Sequence, residues 1–193
     1  MPKLKRNYYL QEDVVSVAKD LLGKTLYTCV KGKITAGIIT ETEAYAGIND
    51  KASHAYGGKR TQRNEIMYAK GGLAYIYLCY GMHHLFNVVT NKENVPHAVL
   101  IRAIKPVEGI DVILKRRKQK SLAKNTSAGP GTMSQALGIN TQLNGADLTS
   151  TSIWLQDDKI EITKENIITG PRIGIDYAGE DAKLPYRFIL KNM

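Results

Sequence analysis

The run Glu41-Thr42-Glu43-Ala44-Tyr45 closes a β-branched stretch, and the two-residue period of a strand puts Glu41, Glu43 and Tyr45 on one face. Two carboxylates and a phenol side by side are poor core material. Such a face is either solvated, the reading these five residues favour when taken alone, or a site at a strand end where a carboxylate serves as general base. Tyrosines gather nearby. Six of the eleven fall between Tyr45 and Tyr80, with Tyr75 and Tyr77 on one strand face and Tyr80 on the opposite parity, next to a turn. This is either an ordinary aromatic-rich strand or a stacking surface for unstacked bases. In the second reading an exposed aromatic at the turn also acts as a wedge between base steps. On the residues alone the two stand level.

Other chemistries find less support. His54, His83, His84 and His97 show no HExxH spacing, and Cys29 and Cys79 make no zinc pattern. GxSxG, GxGxxG and the Walker loop are absent from the sequence. Gly129-Pro130-Gly131, ahead of a short helix, either offers backbone N–H groups to a phosphate or, the simpler reading, stops one element and starts another. Lys115-Arg116-Arg117-Lys118 reads as a solvated helix end. Two cysteines do not make a disulfide scaffold and fit a reducing cytosol. No apolar run approaches the ~18 residues of a bilayer span. The basic start, Met1 to Arg6, lacks the apolar segment of a secretory signal. The expected location is therefore the cytoplasm.

The charge points to a partner. Twenty-seven Lys and Arg against eighteen Asp and Glu leave +9. The excess is segregated, +11 over residues 1–124 and −2 over residues 125–193. A basic surface of this kind suits a polyanion such as nucleic acid.

The elements that must position these residues follow from pattern. Gln11–Leu22 reads as a helix ending at Gly23. Thr25–Val30 and Ile34–Tyr45 read as strands around a Lys31-Gly32-Lys33 turn. Gly47–Tyr68 is polar and turn-rich, a long loop with one helical turn, and such loops tend to be functional. Leu73–Tyr80 and Leu85–Thr90 flank a turn at Gly81-Met82-His83-His84. Ala98–Ile104 is a further strand, Val107–Arg117 and Gly131–Leu137 are helices, and Ser152–Gln156, Lys159–Ile162 and Tyr186–Leu190 are short strands. Lys120–Gly129 reads as a loop within the fold. Strands joined by hairpin-length connections give an α+β class with a largely antiparallel sheet.

Taken in order, the motifs resemble a known family. Glu41-Thr42-Glu43-Ala44-Tyr45-Ala46-Gly47, His54, Arg60-Thr61-Gln62-Arg63-Asn64, Tyr75-Ile76-Tyr77-Leu78-Cys79-Tyr80-Gly81-Met82, Asn87 and Leu100-Ile101-Arg102-Ala103 are similar to the alkyladenine (3-methyladenine) DNA glycosylases. The similarity continues through Gly129-Pro130-Gly131, Gln135-Ala136-Leu137, Gly170-Pro171-Arg172-Ile173-Gly174 and Pro185-Tyr186-Arg187-Phe188, nearly the whole chain. The short N-terminus resembles a bacterial minimal form. His83-His84 stand where vertebrate members would carry bulkier aromatics, and Asn49 and Lys51 alter the loop before His54.

The resemblance implies a role for each matched residue. Glu43 would activate the attacking water, and Arg102 would help to hold it. Tyr45, His54 and Tyr77 would sandwich the extruded base, with Asn87 against the purine edge, where it disfavours the amino group of guanine. Tyr80 would be the wedge entering the duplex through the minor groove, with Met82 beside it. No metal and no organic cofactor would be needed. The partner would be double-stranded DNA containing damaged purines, met by a monomer with no membrane association. The product would be an abasic site in an uncut strand. Electron-rich tyrosine faces would favour a cationic alkylated base over its neutral parent. The expected fold is a single α+β domain over residues 1–193, with a curved, largely antiparallel sheet, short flanking helices and a protruding β-hairpin. Charge and aromatics without the motifs would equally suit a non-catalytic nucleic-acid-binding module.

Overall fold

The computed structural model describes residues 2–191. Along the chain come helix α1 (Val14–Asp20), strands β1 (Thr25–Val30) and β2 (Lys33–Tyr45), and a loop of three short 3-10 turns. Strands β3 (Ala74–Cys79), β4 (His83–Thr90) and β5 (His97–Glu108), helices α2 (Ile110–Arg117) and α3 (Pro130–Leu137), and strands β6 (Ile153–Gln156), β7 (Ile167–Gly170) and β8 (Arg187–Leu190) follow. The strands run in the order β3-β4-β5-β2-β1-β6, with β8 joined to β2 and β7 to β8. All of these pairs are antiparallel. The curled antiparallel sheet and its short helices are the α+β class expected from the sequence.

β2 organises this sheet. One edge pairs with β5 from Ala36 to Tyr45. The other edge is shared, Lys33–Ile38 going to β1 and Glu41–Glu43 to β8. Register shifts against β5 on both sides of Glu41 mark a bulge there. Bulges bend a strand and re-aim its side chains, and they concentrate near active sites.

Alternation then sorts the side chains. Thr42, Ile76, Phe86, Val99 and Ile101 face the core, where Val17, Leu21, Met133 and Leu137 of the helices meet them. Each large aliphatic or aromatic side chain fully buried there contributes ~1.5–3 kcal/mol. The Thr42 hydroxyl, buried on this side, donates to the Ala18 carbonyl at 2.8 Å. The residues one step along each strand point to the opposite face.

Several boundaries differ from the sequence expectation. α1 starts at Val14 because Asp13 caps it, its carboxylate accepting the Val15 N–H at 3.0 Å. β5 runs on through Pro106 to Glu108, and α2 begins only at Ile110. Pro106 is tolerated because it lies beside the bulge between Ala36 and Gly37. Lys159–Ile162 forms no strand, and β7 lies at Ile167–Gly170 instead. His83 and His84 pair with Cys79 and Leu78, so they belong to β4 and the turn is Tyr80-Gly81-Met82.

The basic run at the end of α2 is only half solvated. Arg116 donates to Thr35 Oγ1 at 3.0 Å and the Ala136 carbonyl at 3.1 Å, and Arg117 donates to Gln135. These two tie α2 to α3, while Lys115 and Lys118 remain exposed. Among the described residues no helix is long and apolar enough to cross a membrane.

Candidate active site

Four strands place one row of side chains on the face opposite the core. Glu43 pairs with Leu100, Leu100 with Asn87, and Asn87 with Tyr75. Because the period is two, Tyr45, opposite Ala98, and Tyr77, opposite Leu85, extend the same face. Small Ala98 and buried Leu100 leave a floor between the aromatics. The result is a cavity of about 650 Å³ lined by Glu43, Tyr45, His54, Arg63, Tyr77, Asn87 and Arg102, with Tyr80 and Tyr177 also on its lining. Small-molecule sites commonly span ~300–1,000 Å³.

Glu43 is fully buried. Its Oε1 accepts the Ile173 N–H at 2.9 Å, its Oε2 accepts the Tyr45 hydroxyl at 2.9 Å, and Arg102 Nη1 lies 3.2 Å from Oε1. Burial pushes its carboxyl above the usual carboxylate range, while Arg102, the Ile173 N–H and Tyr45 oppose that rise. Arg102 is itself anchored, its Nε donating to Glu41 Oε1 at 2.9 Å, and Arg187 of β8 donates to the same oxygen at 3.1 Å. The face is therefore a buried ionic network and not the solvated surface that five residues in isolation suggest.

The aromatic walls keep their protons. Burial raises the Tyr45 and Tyr77 phenols well above their ordinary values and takes Tyr75 up to about 12. His54 goes the other way, to about 4, through burial and then through the charges of Arg63 and Lys59. It is neutral at physiological pH, with Nδ1 2.8 Å from the Tyr75 hydroxyl and its ring 4.7 Å from that of Tyr77.

A second buried ion pair fixes the loop that carries His54. Arg172 donates to both oxygens of Asp50, at 2.5 and 2.8 Å, and to the Ala44 carbonyl at 2.8 Å. Asp50 in turn accepts the N–H groups of Ala46 and Ala52, both at 3.0 Å. One residue past Arg172 is Ile173, whose N–H holds Glu43. The pair therefore sets the His54 loop and the Glu43 donor together.

At the mouth, Tyr80 is 87% and Met82 69% exposed. Tyr80 and Gly81 both adopt positive φ, 50° and 70°, and the Met82 N–H donates to the Cys79 carbonyl at 3.1 Å. A left-handed tyrosine is strained, and such strain collects at functional positions. Gly131 at the start of α3 allows close approach, since a side chain there would meet the His83 ring.

The structure brings seven of the eight candidate residues around one cavity. Met82, the eighth, lines a neighbouring depression with His83 and Arg116. The sequence reading missed the Ile173 N–H, the Asp50–Arg172 pair and the anchoring of Arg102 by Glu41. Among the described residues no group of three or more His, Cys, Asp or Glu is placed to hold a metal ion.

With this geometry in view, the sequence model of the methylpurine-DNA glycosylase family matches residues 8–193. The chain belongs to the methylpurine-DNA glycosylase family. A relative from Chlamydia felis is 52% identical over 188 residues, covering 97% of this chain and 95% of its own length. One from Desulfitobacterium hafniense is 42% identical over 199 residues, covering 100% of this chain and 97% of its own length. A Clostridium perfringens protein is 44% identical over 198 residues. All three carry provisional names as 3-methyladenine DNA glycosylases. The glycosylase fold of this family member thus carries a buried carboxylate, a cationic partner and aromatic walls on one face of one sheet.

Proposed function

We propose that the protein is a monofunctional DNA glycosylase of base excision repair. It flips alkylated or deaminated purines (3-methyladenine, 7-methylguanine, hypoxanthine, ethenoadenine) out of duplex DNA. It then hydrolyses the N-glycosidic bond and leaves an abasic site. The observation that carries this reading is the buried Glu43 carboxylate, held by Arg102 and the Ile173 N–H, in an aromatic-walled cavity.

Extruding a base costs a few kcal/mol, least for a damaged or mispaired one. Stacking between Tyr45, His54 and Tyr77 offsets part of that, at ~1–3 kcal/mol per base. As the C1′–N bond breaks, the sugar develops oxocarbenium character. Glu43 stabilises it and takes the proton of the attacking water, the logic of glycoside hydrolysis. Arg102 orients that carboxylate and the water. The Asn87 amide donates to the Tyr75 carbonyl at 3.1 Å, which fixes its orientation against the purine edge and disfavours the 2-amino group of guanine.

Tyr80 fills the space the flipped base leaves, entering by the minor groove with Met82 beside it. The enzyme works as a monomer in the bacterial cytoplasm, as one domain spanning residues 1–193, with no metal or organic cofactor. Its basic side chains set affinity for DNA and the salt dependence of that affinity. The direct test is release of free purine from lesion-bearing duplex, with strand cleavage only after alkali. Retained binding with no release would favour a non-catalytic module.

Two expected results follow from the geometry. Tyr80→Ala should slow excision from duplex about tenfold, equivalent to ~1.4 kcal/mol, while leaving excision from single strands near wild type. Equal losses on both substrates would remove the wedge. The second result concerns pH. Glu43 must be ionised to accept a proton, and burial raises its pKa. Release of 7-methylguanine should therefore fall on acidification through a pH above the ordinary carboxylate value of ~4.3. His54 stays neutral down to about 4, so His54→Gln should not move that limb. A limb shifted by His54→Gln would assign it to the imidazole.

A further inference from the structure

Arg63 stands apart from the other arginines around the cavity. Its guanidinium lies over the Tyr77 ring, 5.2 Å from the centroid. Arg172 lies similarly over Tyr45, at 4.8 Å. The two differ in compensation. Arg172 is neutralised by Asp50 and Arg102 by Glu41 and Glu43, whereas Arg63 has no carboxylate partner among the described residues. Its neighbour Asn64 is buried and donates to the His54 and Lys59 carbonyls, each at 2.8 Å, which fixes the backbone beside it. The Tyr77 ring expected to attract a cationic base thus already carries a cation, one exposed to solvent at the cavity and without a carboxylate partner among the described residues.

We propose that Arg63 sets the lesion class of this pocket, favouring neutral purine lesions such as hypoxanthine over cationic N-alkylpurines such as 7-methylguanine. The inference rests on the glycosylase reading above. When the glycosidic bond breaks, its electron pair goes to the purine nitrogen. The water oxygen bonds to C1′, and the water proton passes to Glu43. A cationic base departs neutral, and Glu43 releases its proton to solvent. A neutral base departs as an anion, which takes up a proton afterwards by way of solvent. A guanidinium beside the ring stabilises that anion and repels a base that enters already charged. His54 cannot share the task as a cation, because it is neutral down to about 4, partly through the Arg63 charge itself.

The test is single-turnover release of hypoxanthine and of 7-methylguanine from otherwise identical duplexes. Wild type, Arg63→Gln and Arg63→Lys are compared, with thermal unfolding of each variant alongside. Arg63→Gln should lower the hypoxanthine rate and raise the 7-methylguanine rate, so their ratio drops at least tenfold. Arg63→Lys, which restores the charge, should recover most of the ratio. A ratio unchanged in Arg63→Gln, or equal losses on both bases, would overturn the inference. So would a wild type that releases 7-methylguanine but no hypoxanthine. A wild type that releases neither base would overturn the glycosylase reading and this inference with it.

Discussion

Glu43→Gln should abolish most base release while leaving DNA binding intact. General-base assistance is worth ~10²–10⁴-fold, so a loss of that order is expected in single-turnover excision. The substitution is nearly isosteric. A glutamine oxygen can still accept the Ile173 N–H that the carboxylate accepts at 2.9 Å. What it lacks is the negative charge that, on the proposed mechanism, faces the sugar and the lone pair that would take the proton of water. Arg102 remains tied to Glu41, so the network keeps its shape. On the proposed reading, affinity for duplex resides in surface Lys and Arg contacts to phosphate, which the substitution does not touch. Binding to an abasic-site analogue should therefore stay within about threefold of wild type, less than ~1 kcal/mol. Activity above one-tenth of wild type would remove Glu43 from its role.

Asp50→Ala should produce the largest loss of stability. Asp50 and Arg172 are both buried and bonded through two contacts. Removing one partner of such a pair leaves an uncompensated buried charge, at a cost of ~3–5 kcal/mol. For a chain of this length that corresponds to a fall in Tm of ~10 °C. The loss should reach the chemistry too, because the same pair holds the His54 loop and sits one residue from the N–H that binds Glu43. Combining Asp50→Ala with Arg172→Met removes the stranded charge and should recover part of the stability. A fall in Tm under ~2 °C for Asp50→Ala, or no recovery in the double variant, would show that the pair does not hold this region together.

Strand periodicity makes legible which of the cavity's side chains share a face, while the reading of that face as a site comes from the family resemblance. Glu43 and Tyr45 share a face, as do Tyr75 and Tyr77, and the structure turns all four toward one cavity. Tyr80 is legible from its place next to the turn residue Gly81. The turn itself was displaced, since a tyrosine in left-handed conformation is not what local propensity suggests, and His83 and His84 were taken into pairing with β3. The resemblance reached His54 and Arg102 by motif.

What escaped was long-range or carried by the backbone. Asp50 and Arg172 lie 122 residues apart, and neither spacing nor charge pattern joins them. The Ile173 N–H has no side-chain signature at all. The bulge at Glu41 comes from pairing with β5, so the anchoring of Arg102 by Glu41 could not be read from β2 alone. The same pairing drew Val107 and Glu108 into β5 against a helix signal, a case of tertiary contacts overriding propensity.

On the proposed reading, the buried carboxylate and aromatic cavity excise damaged purines from DNA. That reading is tested most directly by incubating the wild-type protein with duplex carrying one 7-methylguanine or one hypoxanthine and following free base and strand integrity together. The expected result is release of the purine, with the strand intact until alkali cleaves it at the abasic site. Tight, salt-sensitive binding to these duplexes with no purine released from either would make the protein a binding module and not a glycosylase.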